Sequence, residues 1–201
     1  MMLTIYELKP RFQNLLRPMV AALAKRGVTA NQITMFALVG SSAIGLLLLL
    51  ARDPHLFLIL PAWMFMRMAL NAVDGMLARE FSQKSTLGGY LNELSDVIAD
   101  AALFVPFALV APFSWALVGA VIVLSVVAEM AGVLGMAFGG QRRYDGPMGK
   151  SDRAFVFGAL GLWLGIAGAL PQWAFWIMPL VVLALVLCIV NRVRNGIRSI
   201  A

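Results

Sequence analysis

The stretch Asn71-Ala72-Val73-Asp74-Gly75-Met76-Leu77-Ala78-Arg79, followed by Gly88, Asn92 and Asp96, sets carboxylates, carboxamides, an arginine and glycines beside segments apolar enough to cross a bilayer. Charged and amide side chains are costly in hydrocarbon; in a spanning helix they face a bundle interior or a water-filled cavity and mark a site. Successive helical residues turn by about 100°, so Arg67, Asn71, Asp74 and Ala78 form one polar stripe. In the next apolar segment Gly88, Asn92, Asp96 and Asp100 recur every four residues, with Glu93 at the edge of the same face. Gly88 and Gly89 remove side chains where the two stripes would meet, which admits a ligand or a neighbouring backbone. Arg67 has two compatible readings: it buries its charge against Asp74, or it holds an anionic ligand or orients a carboxylate.

Working outward, the chain of 201 residues is 61% hydrophobic and 13% charged, the composition of an all-α integral membrane bundle and not of a soluble domain. Six transmembrane helices are expected near 32–51, 56–78, 87–110, 114–138, 154–170 and 172–190. Ahead of them, residues 1–28 place Leu8, Phe12, Leu15, Leu16, Met19 and Leu23 at helical spacing beside Lys9, Arg11, Arg17 and Lys25. That pattern suits an amphipathic helix in the headgroup region of an anionic membrane, broken or bent near Pro18, or a solvated helix packed on polar loops. The domain plan is therefore an interfacial helix over 1–28 and a membrane domain over 29–201. Thr29 and Asn31 are the candidate N-caps of the first span.

The net charge of +6 does not point to nucleic acid, because the basic residues are sorted by side of the membrane. With both termini together, one side collects the Lys and Arg of the N-terminal helix, Arg79, Lys84, Arg142, Arg143, Lys150, Arg153, Arg192, Arg194 and Arg198, and the other side has Arg52 alone. The positive-inside rule puts that basic side in the cytoplasm. The N-terminus lacks the plan of a cleaved signal peptide. A lone Cys188 rules out an intramolecular disulfide, and His55, in the opposite loop, is given no role.

Glu129 lies near the middle of the fourth span, where it closes the polar cavity or supports it from outside. The loop after it, from Gln141 to Arg153, has glycines, a proline and the cations Arg142, Arg143, Lys150 and Arg153, a set suited to phosphate capture beside the membrane. For Arg142 and Arg143 a plain positive-inside anchor is an equal reading. Gly158, Gly161, Gly165 and Gly168 make a small-residue stripe that predicts close helix packing, within the bundle or across a homodimer.

Acidic stripes meeting in a membrane, with cations at the cytoplasmic mouth, imply a divalent metal. Oxygen donors suit Mg2+ or Mn2+ bridged to substrate phosphates, and the Cys and His ligands zinc prefers are missing. A metal-bound diphosphate can be attacked in line by an alcohol. At these residues the chain also resembles a known family. Asn71-x2-Asp74-Gly75-x2-Ala78-Arg79-x8-Gly88-x3-Asn92-x3-Asp96 is similar to the signature of the CDP-alcohol phosphotransferases, D-x2-D-G-x2-A-R-x8-G-x3-D-x3-D, with Asn at two of its four Asp positions.

The resemblance implies a bacterial inner-membrane enzyme of phospholipid synthesis, with its active site on the cytoplasmic side. It would transfer a phosphatidyl group from a CDP-activated lipid to a small alcohol, the favoured direction, or a headgroup phosphate from a CDP-alcohol to a lipid, and release CMP. It also implies that Asn71, Asp74, Asn92 and Asp96 surround one or two metal ions, that Asp96 is the base, and that Gly75, Ala78, Arg79 and Gly88 floor the nucleotide, with Asn31 near the cytidine. Asn71 and Asn92 offer carbonyl oxygens but each removes a negative charge, so weaker metal binding, or one metal in place of two, is expected. Glu93 or Asp100 are candidates to supply the missing carboxylate. Arg67, Lys150, Arg153, Arg142 and Arg143 are the candidates to hold the acceptor or its phosphate. The rival readings are a CDP-lipid binding protein whose chemistry the two Asn have disabled, and a small transporter.

Overall fold

The computed structural model describes residues 5–199, with side chains from residue 12 onward; Leu8, Lys9 and Arg11 of the amphipathic pattern lie outside the described side chains. Its elements are helices: α1 Ile5–Lys25, α2 Ala30–Ala51, α3 Ile59–Glu80, α4 Thr86–Phe104, α5 Trp115–Ala137, α6 Lys150–Ala167 and α7 Ile177–Arg198. Short 3-10 turns at Pro54–Leu58, Val105–Leu109 and Gln172–Trp176 join some of them. No strand occurs among the described residues.

Among the described residues, four stretches are long and apolar enough to cross a membrane: Ala30–Ala51, Pro54–Glu80, Trp115–Ala137 and Gln172–Arg198. The chain is thus a multi-pass membrane protein. α4 and α6, expected as the third and fifth spans, form as helices but do not reach that apolarity. The first carries Glu93, Asp96 and Asp100, the second Lys150, Asp152 and Arg153. Boundaries differ too. α4 stops at Phe104, not 110, because Pro106 removes a donor and disfavours helix before it. The last helix runs on to Arg198, past the expected boundary at 190, so Arg192, Arg194 and Arg198 are helical residues. α1 is not broken at Pro18; the helix continues through it to Lys25.

Packing divides the chain into two compact units, residues 1–40 with 65–99, and residues 41–64 with 100–201. In the first, α1 lays Val20 into a small core with Ala30, Val73, Met76 and Leu77, flanked by Leu16, Leu23, Ala24, Ile33 and Ala78. Arg17 closes the contact by donating to both carboxylate oxygens of Glu80, at 3.1 and 3.2 Å. Leu15 and Met19 remain exposed on another face, so α1 is both docked on protein and apolar outward. Phe12 adds an edge contact to Phe65.

The second unit has the larger core. Phe104 and Phe157 stack with ring centroids 3.8 Å apart, and Phe107 meets the edges of Phe57 and Phe157. Leu60, Leu103, Val121, Leu164, Met178 and Leu185 complete it, each at most 3% exposed. α5 starts where Ser114 accepts from the Leu117 N–H, and α6 ends at Gly168, whose φ of 74° suits a helix C-terminus. The glycine stripe of α6 is used inside this unit. A Cβ at Gly161 would stand 3.0 Å from Leu60 Cβ, and one at Gly165 only 2.8 Å from the Leu58 backbone nitrogen. Small residues let the two backbones approach, as the spacing predicted.

Candidate active site

Local hydrogen bonds fix the entrance to α2. The Thr29 hydroxyl accepts from the Gln32 N–H at 3.2 Å, and the Gln32 side chain accepts from the Thr29 N–H at 2.9 Å, a reciprocal capping box that makes Thr29, not Asn31, the N-cap. The loop after α3 reaches back to the same place. Gln83 accepts from the Ala30 N–H at 2.7 Å and donates to the Val28 carbonyl at 3.3 Å. This frees Asn31 to face the start of α4, where its Oδ1 lies 2.8 Å from the position a Cβ on Gly88 would take. Ser85 Oγ, which accepts from the Gly88 N–H, borders the same spot at 3.0 Å. Gly88 is therefore needed for room.

One helical turn further along α2, Thr34 Oγ1 stands 2.8 Å from Asp74 Oδ2 and 3.1 Å from the Ala30 carbonyl, sharing one proton between them. Asp74 is 5% exposed, so its carboxylate is held by a fixed donor in a nearly dry place. On the preceding turn of α3, Asn71 turns its amide nitrogen to Asp96 Oδ1 on α4, a long contact of 3.4 Å. Arg67, 3% exposed, donates to the Asp96 carbonyl at 2.9 Å and lies 3.6 Å from its carboxylate. The two halves of the motif are thus joined through Asn71 and Arg67 to Asp96, while Asp74 is tied to α2. Arg79 folds back over Gly75, its guanidinium nitrogens 3.0 Å from where a Cβ would be, and stays exposed. Ala78 packs with the α1 core, and Asn92 lends its carbonyl to the Ser95 hydroxyl.

This donor set can be tested against a divalent metal. Its oxygens, two carboxylates and two carboxamides, are of the kind that Mg2+ or Mn2+ prefers. Among the described residues, however, no group of three or more His, Cys, Asp or Glu gathers to hold an ion. Two carboxylates carry the charge that balances one dication and no more, and Asn71 and Asn92 are by type neutral oxygen donors.

In the second unit a separate ionic cluster forms around Glu129, which is 7% exposed. Arg153, 1% exposed, donates through Nη2 to Asp100 at 2.9 Å and to Glu129 at 3.0 Å, and through Nε again to Asp100 at 3.2 Å. Arg142 donates to the other Glu129 oxygen at 3.2 Å, and Arg192 lies 3.4 Å from it while donating to the Ala128 carbonyl. Among the described residues of this cluster, three guanidiniums meet two carboxylates, one positive charge more than negative. Arg192 Nε, buried, has no hydrogen-bond partner among the described residues. Beside the cluster, Arg143 makes a two-pronged pair with Asp145, at 2.8 and 3.0 Å, which Asn195 also reaches. The Arg143 hydrogen bonds hold the Asp145 carboxyl below the usual range, with Asn195 adding to the effect. Lys150 and Asp152 open α6, where the Asp152 carboxylate accepts from the Gly149 N–H.

Thr34, Gln83 and Arg192 join these groups in the fold without the sequence pattern marking them as members of a site. Thr34 stands three residues after Asn31, on nearly the same helical face, which is the signal that would have found it. Gln83 and Arg192 carry no such spacing.

The comparisons with known proteins agree with the motif. The family model for CDP-alcohol phosphatidyltransferase matches residues 27–193. An inner membrane protein of Escherichia coli, YnbA, is 47% identical over 196 residues, 96% of either chain. A phosphatidylinositol phosphate synthase of Streptomyces avermitilis is 33% identical over 98 residues, 49% of this chain and 39% of that one. The match spans every residue of the motif and the loops that shape it, and the chain belongs to the CDP-alcohol phosphatidyltransferase family.

Proposed function

We propose that this protein transfers a phosphatidyl group from a CDP-activated lipid to a small alcohol and releases CMP, as a step of phospholipid synthesis. The observation that carries this reading is the meeting of Asn71, from the first half of the motif, with Asp96, from the second. Transfer needs both halves around one diphosphate. In the proposed reaction the acceptor hydroxyl attacks the phosphorus on the lipid side, its proton passes to the Asp96 carboxylate, and the bond to CMP breaks. Arg67 and Asn71 orient that carboxylate for attack. Asp74, fixed by Thr34, would hold the diphosphate through an Mg2+ or Mn2+ ion, whose chemistry is to neutralise charge developing on the leaving phosphate. Asp96, Asn71 and Asn92 would offer the ion further oxygen ligands. Gly75, Arg79, Gly88 and Asn31 would receive the nucleotide.

For the acceptor, the cations of the 142–153 loop are the proposed attraction. Arg153 is committed to Asp100 and Glu129, so it and Asp100 act in this proposal as the frame. The excess positive charge there and the unpartnered Arg192 Nε support an acceptor that itself carries a phosphate. The six long helices beyond α1 would all cross the bilayer, both termini and the motif on the cytoplasmic side, as the distribution of Lys and Arg favours.

Purified protein, CDP-diacylglycerol and Mg2+ or Mn2+, offered a panel of alcohols and alcohol phosphates, tests the reading by CMP release. Release that disappears in Asp96→Asn is the expected result. Tight binding of the CDP-lipid with no release for any acceptor would replace it with the second reading, a CDP-lipid binding protein, which the Asn residues at 71 and 92 favour.

A further inference from the structure

The second unit contains a cavity of about 320 Å³ that the proposed reaction does not use. It lies among the end of α2, the two turns Pro54–Leu58 and Val105–Leu109, and the end of α6. Leu48, Phe57, Leu109, Val110 and Leu164 make its walls apolar, and Arg52 supplies its one charge. A pocket of this size is at the lower end of those that hold small organic ligands. Arg52 is also conformationally unusual. It sits just past the last residue of α2 with φ of 52°, where Gly or Asn is the ordinary choice. It is exposed, and while its backbone N–H donates to the Leu48 carbonyl at 3.4 Å, its guanidinium makes no hydrogen bond or ion pair among the described residues. Asp53, the acid beside it, turns its carboxylate to the His55 N–H and does not line the cavity.

The depth of this site in a bilayer follows from the tryptophans of the same loops. Trp115 opens α5, and Trp173 and Trp176 lie on the turn after α6, each about 60% exposed. Exposed Trp marks the headgroup level, where an indole is half in hydrocarbon and half in water. An apolar recess opening at that level beside a lone guanidinium matches one occupant: a phospholipid whose phosphate meets Arg52 and whose acyl chain enters the recess.

We propose that the cavity beside Arg52 is a binding site for an anionic membrane phospholipid, separate from the site of phosphatidyl transfer. The preference for an anionic lipid over a zwitterionic one comes from Arg52, which has no choline or ethanolamine partner to offer. The test uses the full-length protein in phosphatidylcholine nanodiscs doped with phosphatidylglycerol or phosphatidylcholine bearing an acyl-chain diazirine. After illumination, cross-linked peptides are mapped by mass spectrometry. Cross-links within 48–57 and 105–111, several-fold stronger for phosphatidylglycerol, are expected. Arg52→Asn, which accepts the same backbone conformation, should remove the preference, and Val110→Trp should remove the labelling itself; Leu109→Trp, at a more exposed wall position, serves if the former fails to fold. Equal labelling by the two lipids, or none at these peptides, overturns the proposal. Neither readout depends on CMP release, so failure here leaves the proposed reaction untouched.

Discussion

Arg153→Met removes the centre of the buried ionic cluster and nothing of similar bulk. The guanidinium is 1% exposed and serves two carboxylates and the Met148 carbonyl. Removing one partner of a buried pair costs about 3–5 kcal/mol, chiefly because the remaining charge stays desolvated. Glu129 keeps Arg142 and Arg192, so the lower half of that range applies, about 3–4 kcal/mol. For a chain of this size 1 kcal/mol shifts the melting temperature by about 2–4 °C, which gives a fall of roughly 6–16 °C. Cys188 provides the assay. It is the only cysteine and is fully buried, its thiol donating to the Asp145 carbonyl, so a thiol-reactive dye in detergent reports unfolding of the unit that holds the cluster. Neutralising the partners as well, in Arg153→Met with Asp100→Asn and Glu129→Gln, should recover most of the loss. A single variant that melts within about 2 °C of the parent would refute the reasoning, since the carboxylates would then not depend on Arg153.

Gly88→Ala would drive a methyl to 2.8 Å from Asn31 and 3.0 Å from Ser85, both short mobile ends, so the fold should survive while KM for the CDP-lipid rises about tenfold; an unchanged KM would remove Asn31 from the nucleotide site. Asp74→Asn and Asp96→Asn should each lower turnover at least about 100-fold, and full activity of the second would exclude Asp96 as the base. Asn71→Asp adds a carboxylate beside Asp96 and should tighten Mg2+ about tenfold in a calorimetric titration; no change would place Asn71 outside the ion's ligands. The lowered Asp145 carboxyl contributes stability that is full above its unfolded value near 3.9 and is lost as pH falls through its folded value. Asp145→Asn should therefore be less stable than the parent at pH 7, and the gap should close as the pH falls below the ordinary carboxylate range, read by tryptophan fluorescence; a gap that does not narrow in acid would contradict this.

The membrane class and the pairing of α3 with α4 were readable because both rest on periodicity. Polar residues three or four positions apart in two apolar segments leave little choice of face, and Asn71 and Asp96 do meet. The helix ends were less readable, since Pro106 and Pro171 punctuate apolar runs whose hydropathy does not change. The ionic cluster could not be foreseen as a unit. It draws Asp100, Glu129, Arg142, Arg153 and Arg192 from separate helices and a loop, and no spacing links residues so far apart along the chain. Arg153 reads as a cation at a helix mouth because its sequence neighbours are polar, whereas in the fold it is buried against Asp100 and Glu129, which lie far from it along the chain. Thr34 was overlooked for the opposite reason: a hydroxyl in an apolar helix ordinarily satisfies itself on its own backbone, as Thr34 also does.

The clasp that Gln83 makes on Val28 and Ala30 gives the stretch separating Arg79 from Gly88 the character of a measured tether. Its composition can vary wherever a residue only spans distance, but its length cannot, because one added residue would slide Gln83 off its two anchor points and draw Gly88 away from Asn31. In engineered chimeras, this segment should therefore be exchanged whole and at constant length, together with the residues at 28–31 that it grips.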